Sequence, residues 1–165
     1  MFRRLLTSDL ASLLLRVGLG VIFLGHGLGK VEHGWGSAWE PLFSPETQLI
    51  IAWTEVIAGA LVLVGLFTRL SAALLAGLAA ATGYITLQYV PFIASEAHKL
   101  SANYDHLSVG AEYQFALLAI GLSLVVLGGG LLSLDTVVGK LFRRKAAVAE
   151  SSAQELDLEP VGAAD

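Results

Sequence analysis

Four stretches of this chain, residues 10–29, 49–67, 70–90 and 112–132, are each long and apolar enough to cross a hydrocarbon core of about 30 Å. Lipid offers backbone N–H and C=O groups no partner, so runs of this kind must satisfy their own hydrogen bonds, and their Leu, Ala and Gly content suits helices. The sequence therefore predicts an all-α fold: an antiparallel four-helix bundle in a membrane. A mean hydropathy of +0.71 over 165 residues agrees with that. So does a charged fraction of 15%, against roughly a quarter in soluble domains. The net charge of −4 carries little information, because Glu150, Glu155, Asp157, Glu159 and Asp165 crowd the last stretch with no basic residue among them.

Basic residues orient the bundle. Arg3, Arg4, Arg69, Lys140, Arg143, Arg144 and Lys145 fall on one side of a four-pass arrangement, and only Lys30 and Lys99 on the other. The excess marks the cytoplasmic face, so both termini are expected there, with Thr68-Arg69 forming a tight turn between the second and third helices. Residues 1–145 then form the membrane domain, and residues 146–165 a disordered acidic cytoplasmic tail. Phe2-Arg3-Arg4 before the first apolar run resembles the start of a secretory signal, but residues 25–30 offer no small-x-small cleavage site and three further apolar runs follow. The expected location is a bacterial inner membrane, crossed several times.

Absences narrow the chemistry. With no cysteine, the chain alone cannot perform disulfide exchange, supply a thiolate nucleophile, ligate an iron–sulfur cluster or attach haem covalently. There are no paired histidines at haem-ligand spacing, no glycine-rich phosphate loop and no zinc motif. A cofactor held tightly by this chain is not expected, and nucleic acid is not an expected partner.

Ionisable residues inside a transmembrane run cost several kcal/mol unless paired or hydrated, which makes each a functional candidate. Arg16, His26, Glu55 and Glu112 qualify. In the four-pass arrangement His26, Glu55 and Glu112 converge on the outer third of the bundle. Tyr84, Gln88 and Tyr89 on the third helix, with Tyr113 and Gln114 on the fourth, complete a polar pocket there. In that pocket Glu55, His26 and Glu112 are the candidate catalytic groups, and Arg16, Tyr84, Gln88 and Tyr113 the candidate binding groups. Arg16 lies roughly 10 Å deeper than Glu55, within reach of a buried Arg16–Glu55 ion pair that would fix helix register. For His26 the plain alternative is a ring that donates to a backbone carbonyl. Gly18, Gly25 and Gly29 recur on one side of the first helix, and Gly59 follows Glu55 by one turn, as in close helix packing. Gly128-Gly129-Gly130 should loosen the end of the fourth helix, and Ser133 and Asp135 suit the cap of a short interfacial helix. The loops beyond the outer ends carry Trp35, Trp39, His98, Asp105 and His106, read as an aromatic belt or a docking surface.

The stretch from Leu15 to Lys30, with Arg16 and the Gly25-His26-Gly27-Leu28-Gly29-Lys30 segment, resembles the DoxX family of small bacterial membrane proteins. Glu55 to Gly59, Thr68-Arg69, Glu112-Tyr113 and Gly128-Gly129-Gly130 leading to Ser133-Leu134-Asp135 carry the likeness further, in the same order. Arg16, His26, Lys30, Glu55, Arg69 and Glu112 match the family pattern; Gly129 stands where that pattern often has proline. The resemblance implies a four-helix inner-membrane protein related to the small subunit of thiosulfate:quinone oxidoreductase and to membrane partners of sulfur-handling and oxidative-stress enzymes.

The function expected first is therefore the membrane subunit of a redox complex, with quinone or a small sulfur compound as ligand and a separate protein supplying the redox centre. It is not a self-sufficient enzyme in that reading. A non-enzymatic scaffold or assembly partner at the membrane is the alternative, and proton-coupled small-solute transport a third, which would need several copies of the chain to form a path. Membrane lipid is a partner in every case.

Overall fold

The computed structural model describes residues 2–33, 43–88, 92 and 110–157, with side chains placed for 7–33, 43–88, 92 and 110–147. Among these residues the fold is all-α. Five helices follow in order: α1 (Phe2–His33), α2 (Pro45–Val64), α3 (Thr68–Leu87), α4 (Ala111–Leu127) and α5 (Leu134–Asp157). Segments Thr7–His33, Pro45–Val64 and Thr68–Leu87 are long and apolar enough to cross a membrane; α4 is equally apolar but has only 17 residues, about 25 Å of helix.

Local chemistry sets the boundaries and moves several from where the apolar runs placed them. Ser44 caps α2 by accepting from the Thr47 N–H, and Pro45, which has no N–H to leave unsatisfied, opens it. Gly65, at φ +75°, ends α2 in the left-handed conformation that glycine adopts without penalty. The turn between α2 and α3 is thus Gly65-Leu66-Phe67, and Thr68-Arg69 already belongs to α3. Helix α4 stops at Leu127, five residues short of the predicted end, because the glycine run that follows supports no helix. Helix α5 runs to Asp157, across residues 146–157 that were expected to begin a disordered tail. Ala146, Ala147, Ala149, Gln154 and Glu155 are good helix formers and extend it. Residues 158–165 lie outside the described residues.

Helix α1 packs on α2 and α3 on α4, with lighter contacts between α2 and α3 and between α1 and α4. A Cβ on Gly20 would come within 2.9 Å of the Gly59 carbonyl, and one on Gly27 within 2.8 Å of the Ala52 carbonyl. Later residues of α1 therefore meet earlier residues of α2, backbone against backbone. The expected packing glycines are not the ones used: Gly18, Gly25 and Gly29 face open space. Ser12, Arg16, Leu19 and Phe23 are buried and define the inward stripe of α1, whereas Leu14, Val17 and Val21 point outward beside Gly18. The core proper is small and, apart from Phe23, aliphatic: Leu19, Phe23, Ala58, Val62, Ala72, Leu75, Ala79, Leu117 and Leu124. Much of the remaining apolar surface, such as Trp53, Leu74 and Val126, faces outward. Water would not tolerate so continuous an apolar exterior, and lipid favours it.

Candidate functional site

The polar residues gather at two ends of the bundle. At the C-terminal end of α1, Lys30 meets Glu55 of α2, a residue 3% exposed. The Lys30 ammonium donates to both carboxylate oxygens, at 2.5 and 2.7 Å. Two opposite charges held this far from water offset each other's desolvation only while both are present. The expected Arg16–Glu55 pair does not form; the opposed course of α1 and α2 carries Arg16 to the other end.

Tyr113, in the first turns of α4, lies within electrostatic reach of Glu55, and the His26 ring sits against it with ring centroids 6.1 Å apart. His26 Nδ1 is 2.8 Å from the Ile22 carbonyl one turn back. A carbonyl oxygen only accepts, so Nδ1 is the donor in this bond, which leaves Nε2 outside it. The ring thus makes the backbone bond expected of the plain alternative for His26. Next to Tyr113, the Glu112 N–H donates to the Phe92 carbonyl at 3.0 Å, and the Phe92 ring meets Phe115 edge-on. Glu112 Oε2 and Gln114 Oε1 are buried without a hydrogen-bond partner among the described residues. Buried acceptors left in this state are costly, and the cost falls when something donates to them.

Of the predicted site residues, the structure brings Glu55, His26 and Tyr113 together, with Glu112 beside Tyr113 in the first turn of α4. Tyr84 is 68% exposed on the outer surface of α3, and the Gln88 side chain donates to the Tyr84 carbonyl of its own helix, so among the described residues neither joins the cluster. Tyr89 and the loop residues Trp35, Trp39, His98, Asp105 and His106 lie outside the described residues. Lys30 was read as a charge near the outer loop; its place as the partner of Glu55 follows from packing across 25 residues of sequence and has no local signal.

At the other end a second polar knot surrounds Arg16, 1% exposed. Its Nη2 donates to the Leu132 carbonyl at 2.8 Å, its guanidinium fills the space where a Cβ on Gly65 would sit, and Nε and Nη1 have no hydrogen-bond partner among the described residues. Around it the 128–133 segment is fastened from several sides. The Ser12 hydroxyl donates to the Gly128 carbonyl at 2.6 Å, and the Leu131 N–H donates to Asp9 at 2.9 Å. Asp135 accepts from the Phe67 and Thr68 N–H groups at 2.7 and 2.9 Å, capping α3 from 67 residues away, while its own N–H donates to the Gly65 carbonyl. Phe67 has a left-handed φ of +49° and no cap of its own, so Asp135 supplies what the local sequence lacks. Burial alone would raise the Asp135 pKa; the Thr68 and Phe67 N–H groups and the nearby Arg16 charge outweigh it and hold the carboxyl below its ordinary value. Ser133 caps α5 as predicted, accepting from the Thr136 N–H at 3.3 Å. This end is a structural clasp, which removes Arg16 from the cluster around Glu55.

No group of three or more His, Asp or Glu side chains suited to a metal ion occurs among the described residues.

A family model described as DoxX matches residues 11–88. A protein of Bacillus subtilis (strain 168), described as "Putative oxidoreductase CatD", is 32% identical over 139 residues, which cover 80% of this chain and 90% of that protein. No solved structure matches the chain.

Proposed function

The chain belongs to the DoxX family of membrane proteins, and from that premise we propose that it is the membrane subunit of a redox complex, handling protons for an electron transfer completed by a partner protein. In this reading α1 to α4 form an antiparallel four-pass bundle in a bacterial inner membrane. Both termini are cytoplasmic, and the Lys30 cluster opens toward the outer face. The description of the Bacillus relative as an oxidoreductase is consistent with redox chemistry.

The observation that carries the reading is the buried, unpartnered Glu112 Oε2 next to Tyr113, whose ring lies against His26 and within electrostatic reach of the Lys30–Glu55 pair. The hydroxyls of a reduced quinone are donors that suit such an acceptor. A bound quinone would supply two-electron, two-proton chemistry, with the electrons exchanged with the partner's redox centre. This chain's residues would deal with the protons. Glu112, whose Oε2 is unengaged, is the better carrier; Glu55 is tied to Lys30 and instead sets the local field. His26 Nε2 takes or returns a second proton. Tyr113, between His26 and Glu55, positions the ring.

Native membranes carrying Glu112→Gln should lose quinone-linked electron transfer by roughly a hundredfold, the scale on which a positioned acid or base acts, and Glu55→Gln, which leaves the Lys30 charge uncompensated, should also lower it. Native mass spectrometry of the gently extracted protein should show a quinone in the wild type and less of it in Glu112→Gln. Undiminished electron transfer in both variants would discard the reading.

A further inference from the structure

Helix α5 is unlike the other four. Leu134, Val137, Val138, Leu141 and Phe142 fall at helical spacing on one side of it, an arc of roughly 140° at 3.6 residues per turn. All five are exposed, Phe142 by 70%. Arg144 and Lys140 lie along one edge of this stripe, Arg143 stands opposite it, and Lys145 closes it after three turns. An apolar stripe of that width needs a cover, and α5 makes few contacts with the rest of the protein beyond its first turn.

The first turn decides where the stripe lies. Asp135 binds the Phe67 and Thr68 N–H groups and the Gly65 carbonyl, so α5 starts level with the ends of α2 and α3. At that level Phe67, Leu70, Leu131 and Leu132 are all more than half exposed, forming the rim of the surface that faces lipid. Leu134, the first residue of the stripe, follows Leu131 and Leu132 of that rim after Ser133 alone.

We propose that α5 lies along the membrane surface, its Leu134–Phe142 stripe sunk to the acyl boundary and Lys140, Arg143, Arg144 and Lys145 bound to the headgroups of anionic lipids. The occupant is a lipid surface, because the stripe starts at the lipid-facing rim and the four cations, with no acid between them, cluster at 140–145 just beyond it. Basic residues beside an apolar stripe reach outward along their aliphatic stems to phosphate, and four such residues are enough to discriminate anionic from zwitterionic leaflets. The inference rests on the membrane placement of α1 to α3 and is independent of the redox reading.

The absence of cysteine makes the test direct. The full-length protein, one copy per lipid nanodisc, would carry a nitroxide at Phe142→Cys on the stripe, at Ala147→Cys outside it, or at Val21→Cys on the outward face of α1. Accessibility to oxygen and to a polar nickel chelate reads immersion. With one third phosphatidylglycerol, the oxygen-to-nickel ratio at position 142 should exceed that at 147 several-fold. In pure phosphatidylcholine the difference should shrink, as it should with all four basic residues changed to Gln. Equal ratios at 142 and 147 in anionic discs, with position 21 still immersed, would overturn the proposal while leaving the membrane placement intact. Spin–spin broadening at 142 in discs loaded with two copies, without nickel protection in single-copy discs, would assign the stripe to a second chain and also overturn it. A nickel-accessible position 21 would instead refute the membrane placement on which the proposal rests.

Discussion

Glu55 and Lys30 show how a buried charge constrains its neighbours. Removing one partner leaves the other uncompensated, so Lys30→Met should lower stability by about 3–5 kcal/mol, whereas Lys30→Met with Glu55→Leu should recover most of the loss. Thermal unfolding in detergent compares the two; equal losses would mean that the pair contributes no coupling. Asp135 has a different sensitivity. Its folded pKa is depressed, so its contribution is complete above the ordinary aspartate value of about 3.9 and is lost as pH falls through the lower folded value. Stability should therefore drop on acidification more steeply in the wild type than in Asp135→Ala. That variant should itself be about 0.5–2 kcal/mol less stable at neutral pH, the range of a lost helix cap. A wild type and variant with parallel acid profiles would show that the carboxylate does not cap α3.

At the scale of elements, the pairing of α1 with α2 depends on two positions where backbone meets backbone. Gly20→Val would drive a side chain into the Gly59 carbonyl and should cost about 1–3 kcal/mol. Gly18→Ala, on the open face, should be neutral or stabilising by up to about 1 kcal/mol through helix propensity. Unfolding midpoints of the two variants decide which face of α1 is inward; a reversed order would place Gly18 at the interface. The same contrast explains why the glycine pattern alone misled. Gly18 and Gly25 share a seven-residue spacing with Gly20 and Gly27, and spacing cannot say which set has a neighbour.

For the whole molecule, the charge distribution makes a prediction about sidedness. A cysteine at Ser37 should react with an impermeant thiol reagent applied from outside cells, and one at Ser151 only after permeabilisation. The opposite labelling would turn the bundle over, placing the Lys30 cluster on the cytoplasmic side and α5 on the outer leaflet.

Much of the fold was legible because lipid leaves few options: long apolar runs must be helices, and helix formers, glycines and caps mark where they stop. The all-α class, the membrane-spanning runs, the Ser133 cap and the candidacy of Glu55, His26, Glu112 and Tyr113 were all readable from residue type and position. Contacts between distant segments were not. Lys30 as the partner of Glu55, Arg16 and Asp135 in a clasp at the opposite end, Tyr84 and Gln88 on the outer surface, and Gly20 and Gly27 rather than Gly18 and Gly25 at the interface all depend on helix rotation and depth. Rotation is set by which side chains interlock across helices, a property of pairs that no single stretch of sequence carries.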